Sequence, residues 1–268
     1  MTPRCKKFLL LTVLVLAISP LAAAQGTYTQ IDYPGAITTS CYGINNAGDM
    51  TGFYIDSMGI YRGFLLSGSA YTTIDYPGAQ STTLYRSNDV GQIVGVADSF
   101  SFVYDEKKET FTEIAYPGSG ATYATSINNA GTIAGFFTAN DNFSQGFELI
   151  GSTYLALTPL KSANAYFYGI TGMGELVGYT SGHENFNFSF EHGRYQQIVI
   201  PNNPAVYGIN QTGTALVGVG FLYRNSILQP LRFPGGGVTY AFSVNDAGKV
   251  VGLFVDSNSQ QHCFTWVP

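Results

Sequence analysis

Acidic side chains recur in the polar loops that separate the short apolar segments of this sequence, and their spacing could support binding chemistry. Carboxylate oxygens bind hard cations such as Ca²⁺ and can also accept hydrogen bonds from sugar hydroxyls. We therefore predict a ligand-binding rim, with Ca²⁺ as the one cofactor to consider, made by Asp56, Asp98, Asp141, His183, Glu184 and Asp256. The alternative is that these loops are polar only because they face water.

The sequence evidence for catalysis is weaker than the evidence for this binding rim. The three histidines, His183, His192 and His262, do not have the spacing of metal ligands. No nucleophile elbow, phosphate-binding loop or Cys-x-x-Cys pair occurs in the sequence. We therefore predict no catalytic residue and no metal site. A pair of rim carboxylates for glycoside chemistry stays open, because two acids about 5–10 Å apart suffice.

A repeated hairpin positions these loops. The segment YGINNAGDMTGF, from Tyr42, returns in five variants, each with an aromatic or polar lead, a polar pair, a glycine and a short apolar strand. Asn, Asp and Gly tolerate positive φ, so each copy predicts two strands joined by a tight turn. The turn glycines, about 40 residues apart, are Gly48, Gly91, Gly131, Gly174, Gly213 and Gly248.

Two further strands complete each repeat. We name the strands a (the aromatic lead), b (the apolar strand after the turn), c and d. Strand c carries a small residue before a phenylalanine, which we assign as Phe64, Phe102, Phe147, Phe190, Phe221 and Phe264. Strand d resembles TYTQIDYP and ends near a proline, which cannot continue a central strand.

The ends of the chain predict how the repeats close. A d-type strand comes first, at Thr27–Tyr33, whereas the last repeat stops at strand c, around Phe264–Trp266. Pairing these two segments would complete a sixth sheet and remove two open edges. We predict an all-β, six-bladed β-propeller with four antiparallel strands per blade, as one domain over residues 25–268. A linear β-solenoid is the alternative, but it does not explain the split repeat.

The hairpin motifs INNAG and VNDAG, followed by Val-x-Gly and a later small-Phe strand, resemble the HAF-type extracellular repeat proteins of bacteria. That repeat is named for a His-Ala-Phe tripeptide, and His262-Cys263-Phe264 is its nearest counterpart here. The resemblance covers residues 27–268. It implies secretion and a propeller-like array, and it provides no catalytic residue.

Residues 1–24 have the pattern of a secretory signal peptide. A basic start is followed by an apolar run of 11 residues, Phe8–Ile18, and by an Ala-x-Ala site before Gln25. A membrane anchor is the alternative, but the run is short for a bilayer. We predict an extracellular or periplasmic protein without membrane insertion after cleavage.

The net charge of the chain limits the classes of partner that it can bind. Loss of the leader removes three basic and no acidic side chains, so the net charge falls from −5 to −8. An acidic chain argues against nucleic acid as a partner.

Cys41 and Cys263 could form a disulfide in an oxidising compartment, although we favour two small buried thiols.

Three functions remain open on the sequence. The first is a non-enzymatic, monomeric binding or cell-surface module, with a glycan, small molecule or protein on the face formed by the b–c and d–a loops. The second is a secreted glycan hydrolase or lyase that uses rim carboxylates. The third is a structural surface or matrix protein. Exposed aromatic residues such as Tyr54, Phe137 and Tyr179 could stack on sugars, although such side chains more often pack within a blade.

Overall fold

A computed structural model describes residues 26–139, 143–159, 163–182 and 185–268. The predicted leader, Asp141, His183 and Glu184 lie outside these residues. The described chain forms 24 strands in six sheets, each with four antiparallel strands. No helix in these ranges is long and apolar enough to cross a membrane. The predicted all-β, six-bladed propeller is confirmed.

Each blade contributes its strands in the order a, b, c and d. The a strands are β2 (Thr38–Ile44), β6 (Thr82–Ser87), β10 (Thr122–Ile127), β14 (Asn164–Ile170), β18 (Val206–Ile209) and β22 (Thr239–Val244). The b strands are β3 (Met50–Ile55), β7 (Gln92–Ala97), β11 (Ile133–Thr138), β15 (Leu176–Ser181), β19 (Ala215–Gly218) and β23 (Val250–Val255). The c strands are β4 (Tyr61–Ser67), β8 (Phe100–Asp105), β12 (Ser144–Ile150), β16 (Asn187–Glu191), β20 (Phe221–Arg224) and β24 (Gln261–Val267). The d strands are β5 (Ala70–Thr73), β9 (Thr110–Ile114), β13 (Thr153–Leu157), β17 (Arg194–Ile198), β21 (Ile227–Pro230) and β1 (Thr27–Ile31).

The six a strands surround a central channel. Each a strand contacts the a strands of the blades before and after it, and β22 contacts β2, so the ring is closed. Apolar side chains of neighbouring blades, such as Leu65 of blade one and Leu84 of blade two, pack between the sheets. This arrangement brings residues about 40 positions apart in the sequence to equivalent places around one axis.

The first strand closes the ring as predicted. β1 pairs antiparallel with β24, with Thr27 opposite Val267 and Ile31 opposite Cys263.

Cys41 of β2 and Cys263 of β24 form a disulfide, with Cα atoms 5.2 Å apart, so our expectation of two free thiols was wrong. The two cysteines lie 222 residues apart in the sequence. Only closure of the ring brings them within the short range that a disulfide requires.

The a–b turns follow the predicted chemistry. All six turn glycines have positive φ, from +72° at Gly213 to +93° at Gly48. In five turns an asparagine side chain accepts a hydrogen bond from a backbone N–H four residues on, as Asn128 Oδ1 does from Thr132 N at 3.0 Å. Such side-chain bonds fix the turn locally.

The strand c phenylalanines lie opposite a glycine of strand b, as Phe102 lies opposite Gly95. A Cβ on Gly95 would come within 2.5 Å of the Phe102 ring, so the glycine makes room for it. In blade four this place belongs to Phe188, which is opposite Gly178, whereas Phe190 is opposite Leu176. Our assignment of Phe190 was therefore two residues too late.

Every a strand contains a register shift at one residue, which the partner strand leaves unpaired. The shift falls at Tyr42, Tyr85, Thr125, Tyr168, Tyr207 and Phe242. A β-bulge of this kind re-aims a side chain. Here the six bulge residues all line one cavity in the channel.

Candidate functional site

The rim acids Asp56 and Asp98 accept hydrogen bonds from backbone N–H groups of loops at the same end of the propeller. Asp56 Oδ1 accepts Met58 N at 2.9 Å and Ile60 N at 3.0 Å, and its Oδ2 lies 3.1 Å from Arg62 Nε. Asp98 belongs to a b–c loop, and its Oδ1 accepts Ser81 N in the d–a loop at 3.0 Å. These bonds confirm that the two loop types share one face of the propeller.

Asp256 has the same role in blade six. It accepts Gln260 N and Asn258 N, both at 2.8 Å. The backbone bonds come first among the causes that hold the pKa of Asp56, Asp98 and Asp256 below the ordinary value. These three carboxylates therefore stay ionised and hold the loops in shape.

His262 joins the rim to the first strand. Its Nδ1 lies 3.0 Å from Asp32 Oδ1, and its Nε2 lies 3.6 Å from Asp256 Oδ2. The imidazole also stacks on Phe254, with ring centroids 5.2 Å apart. Within the described ranges, no group of three or more His, Cys, Asp or Glu residues is arranged to hold a metal ion.

The bulge residues form an aromatic collar, which we define as Tyr42, Tyr85, Thr125, Tyr168, Tyr207 and Phe242. Ring contacts run around it from Tyr85 to Tyr42, Phe242, Tyr207 and Tyr168, with centroids 4.9–5.7 Å apart. Thr125 is the only member without a ring, so the collar has a gap in blade three.

A cavity of about 180 Å³ lies within this collar. Tyr179 of β15 lines it as well, with its ring centroid 6.0 Å from that of Tyr168 and 5.9 Å from that of Tyr207. Burial is the main cause that raises the pKa of Tyr85 and Tyr179 to about 12, followed by neighbouring tyrosines. The hydroxyls therefore stay neutral, and each can donate as well as accept a hydrogen bond.

Arg86 extends across the base of the cavity. It comes directly after the bulge residue of blade two, where the other five blades have glycine or serine. Its Nη2 donates to the carbonyl oxygens of Tyr207 at 2.6 Å and Phe242 at 2.5 Å, in blades five and six. A Cβ on Gly208 would come within 2.9 Å of this nitrogen, so the small residues opposite make room for the arginine.

No carboxylate neutralises Arg86 within the described ranges, where every ion pair involves other residues. Its remaining hydrogen bond is a long one, 3.4 Å from Nη1 to Ser243 Oγ. Burial lowers the pKa of Arg86 to about 10, which still leaves it charged at neutral pH. Part of the side chain faces the cavity.

The channel is closed on the side of the a–b turns. The next residues along the a strands form a buried layer, with Ile127, Ile170 and Val244 each 2% exposed. Only a space of about 20 Å³ remains among them, enough for one water molecule. The collar side chains are partly exposed, Thr125 excepted. The cavity is therefore reached from the b–c and d–a loops.

Sequence reasoning missed this site because it looked for differences between blades in the loops. Three departures from the repeat were visible in the a strands: Thr125 in an aromatic position, Arg86 in a small one and Ser87 in an aliphatic one. Of the aromatic residues singled out earlier, Tyr179 lies in the cavity. Tyr54 and Phe137 instead stack on Tyr33 and Tyr116, with centroids 3.7 Å apart in both pairs.

Comparison with known proteins gives the fold and no family. No family model and no curated protein matches this chain. The chain is similar to the calcium-binding protein regucalcin of Agrobacterium tumefaciens, with a TM-score of 0.55 and 9% identity over 90% of this chain and 93% of that one. It is also similar to the extracellular domain of a B. thetaiotaomicron one-component system, with a TM-score of 0.52 and 10% identity over 90% of this chain and 40% of that one.

Proposed function

We propose that this chain is a secreted binding module that captures a small molecule or the end of a glycan in its central channel. The observation that carries the proposal is the cavity inside the aromatic collar, which is closed toward the turns and open toward the loops. Ligand sites are concave, with aromatic walls and a few polar groups that fix orientation. The tyrosines and Arg86 provide both.

The rim supports this function in a second way. Because Asp56, Asp98 and Asp256 accept bonds from loop N–H groups, they keep the mouth of the channel in one shape. A general acid in glycoside hydrolysis needs a raised pKa, whereas the pKa of each of these three carboxylates is lowered. Binding without catalysis is therefore the function that these three residues favour.

Secretion is part of the same proposal. The predicted leader supports it, and so does the Cys41–Cys263 disulfide, because such bonds persist in oxidising compartments. A secreted structural matrix protein would share these two features, so ligand binding in the cavity is the property that distinguishes a binding module from it.

The test is to close the gap in the collar with Thr125→Tyr, since four of the six blades already have tyrosine at this position. Residues 26–268, which contain all six blades, would be screened by saturation-transfer NMR against monosaccharides, sugar acids and short oligosaccharides. We expect ligands that bind the natural chain to lose at least tenfold in affinity, because the new ring fills the cavity.

Thr153→Tyr is the matched control, because Thr153 is an exposed residue at the start of the outer strand β13. It should bind as the natural chain does. Should Thr125→Tyr not fold, Tyr179→Phe removes one hydroxyl from the lining of the cavity and should weaken binding on its own. A ligand that binds all these variants equally would show that the channel is not the site.

A further inference from the structure

Arg86 is a half-buried cation whose partners are dipoles rather than a carboxylate. Removing a charge from water costs several kcal/mol unless an opposite charge or hydrogen bonds compensate. Two backbone carbonyls and one distant hydroxyl compensate it in part. A guanidinium has five N–H donors, and these three bonds leave two without a partner among the described residues.

The surroundings of Arg86 would suit an anion. Five small residues occupy its position in the other blades, so the side chain has room to reach the channel axis. Above it, neutral tyrosine hydroxyls can donate hydrogen bonds, and ring faces can pack against the body of a ligand. The closed layer below leaves space for one water molecule, so a larger ligand must approach from the loops.

Building on the proposed function, we infer that the channel selects ligands with a carboxylate, and that Arg86 binds this carboxylate at the base of the cavity. A cavity of about 180 Å³ takes a compact ligand rather than an extended chain. The shared chemistry is a small carboxylate on a polar body, as in a single uronic acid or the terminal residue of an acidic glycan.

The charge of the whole protein acts in the opposite direction. Without the predicted leader the chain carries a net charge of −8, which repels an anion at long range. At physiological salt, interactions beyond about 8 Å are largely screened, whereas a guanidinium–carboxylate contact in a desolvated site is not. Arg86 therefore determines affinity at contact, and the acidic surface affects mainly the rate of approach.

The test compares two sugars that differ in the carboxylate, D-glucuronate and D-glucose, by titration calorimetry. We expect the natural chain to bind glucuronate at least tenfold more tightly. Arg86→Ser, which introduces the residue that two other blades have here, should remove this preference, so that glucuronate and glucose bind with similar affinity. Arg86→Lys should keep only part of it, because lysine has the charge without the two-pronged geometry.

Arg194→Ser is the control for charge, because it removes one exposed arginine from the outer strand β17. It should keep the preference for glucuronate. If Arg86→Ser does not fold, the arginine Nε–H signals of the natural protein give the answer instead. One of them should shift on adding glucuronate and stay in place on adding glucose.

Two failures can be told apart. If both sugars bind equally, and Arg86→Ser changes neither affinity, the selection of carboxylates is wrong while a channel site stands. If no compound in the broad screen responds to Thr125→Tyr, the channel site itself is wrong and the carboxylate inference fails with it.

Discussion

The two ends of the central channel use similar polar residues for different tasks. At the turn end, side chains bond from one blade to the next, as Asn88 Nδ2 does to the carbonyl of Asn128 at 2.9 Å. At the loop end, the carboxylates of Asp56 and Asp256 bond within their own loops. The turn end therefore contributes to ring closure, whereas the loop end is free to differ between blades.

The turn end forms a nearly continuous belt. Asn46 bonds to Asp89 on one side and to Asp246 on the other, and Asn129 Nδ2 bonds to Asp89 at 2.8 Å. No such belt runs through the rim acids whose contacts are described. Ligand selection by the loop end can consequently change without loss of the ring.

The largest effect should come from breaking the turn end at Asn128. Its Nδ2 donates to Thr171 O of the next blade at 3.1 Å, and its Oδ1 accepts two turn N–H groups. Asn128→Ala leaves the buried Thr171 carbonyl and two partly buried turn N–H groups without these partners, which should lower the free energy of unfolding by about 3 kcal/mol. Urea denaturation of the natural chain and of the variant measures this loss in unfolding free energy.

Asn129→Ala is the matched control, since the neighbouring Asn129 is exposed and bonds only to Asp89. It should cost about 1 kcal/mol or less. Equal losses for the two variants would contradict a special role for the buried contact between blades.

The next largest effect on unfolding free energy should come from the collar, which lies between the two ends of the channel. Tyr85 has a pKa of about 12 in the folded protein and about 10 when unfolded. Its stabilising contribution is complete below pH 10 and is lost as the pH rises through 12. At pH 11 the loss should reach at most about 1.4 kcal/mol from this residue.

Urea denaturation at pH 9, 10 and 11 would reveal this slope. Tyr85→Phe should make the slope shallower, because phenylalanine cannot ionise, while Tyr179, whose pKa is also raised to about 12, still contributes to it. A slope that is the same in both proteins would mean that the collar does not keep the Tyr85 hydroxyl out of water.

The smallest effect should come from the loop end. Asp98→Ala removes the hydrogen bonds that Ser81 N and Ser81 Oγ donate to Asp98 Oδ1 on an exposed surface. We expect the loss of unfolding free energy to be the smallest of the three, because water can replace these bonds at an exposed surface. Lowering the pH should have a similar effect, because the folded pKa of Asp98 is depressed. The contribution is present above the ordinary carboxyl pKa and lost as the pH falls through the folded value. A loss as large as that of Asn128→Ala would erase the contrast between the two ends.

Most of the fold was readable from the sequence because local chemistry repeats. The turn glycines and asparagines, the strand order and the pairing of the first strand with the last all follow from the repeat. The equivalence of Phe188 with the other strand c phenylalanines did not, because Phe188 and Phe190 both suit the pattern and only pairing with Gly178 decides.

The site was harder, because it depends on the ring. Arg86, Tyr207 and Phe242 meet only when blade two faces blades five and six across the channel. Likewise, Cys41 and Cys263 approach only after closure. The loops of Asp56 and Asp256, by contrast, have the spacing of side-chain-capped turns, so their use within the loops could have been anticipated.

The pairing of β1 with β24 has a consequence for the order of assembly. Of the 24 strands of the described propeller, β1 is synthesised first and β24 last, so the outermost strand of blade six must wait unpaired until the other five blades have been made. Five blades can fold as they emerge, but the toroid can be sealed, and then locked by its sulfur–sulfur bond, only after β24 has left the ribosome.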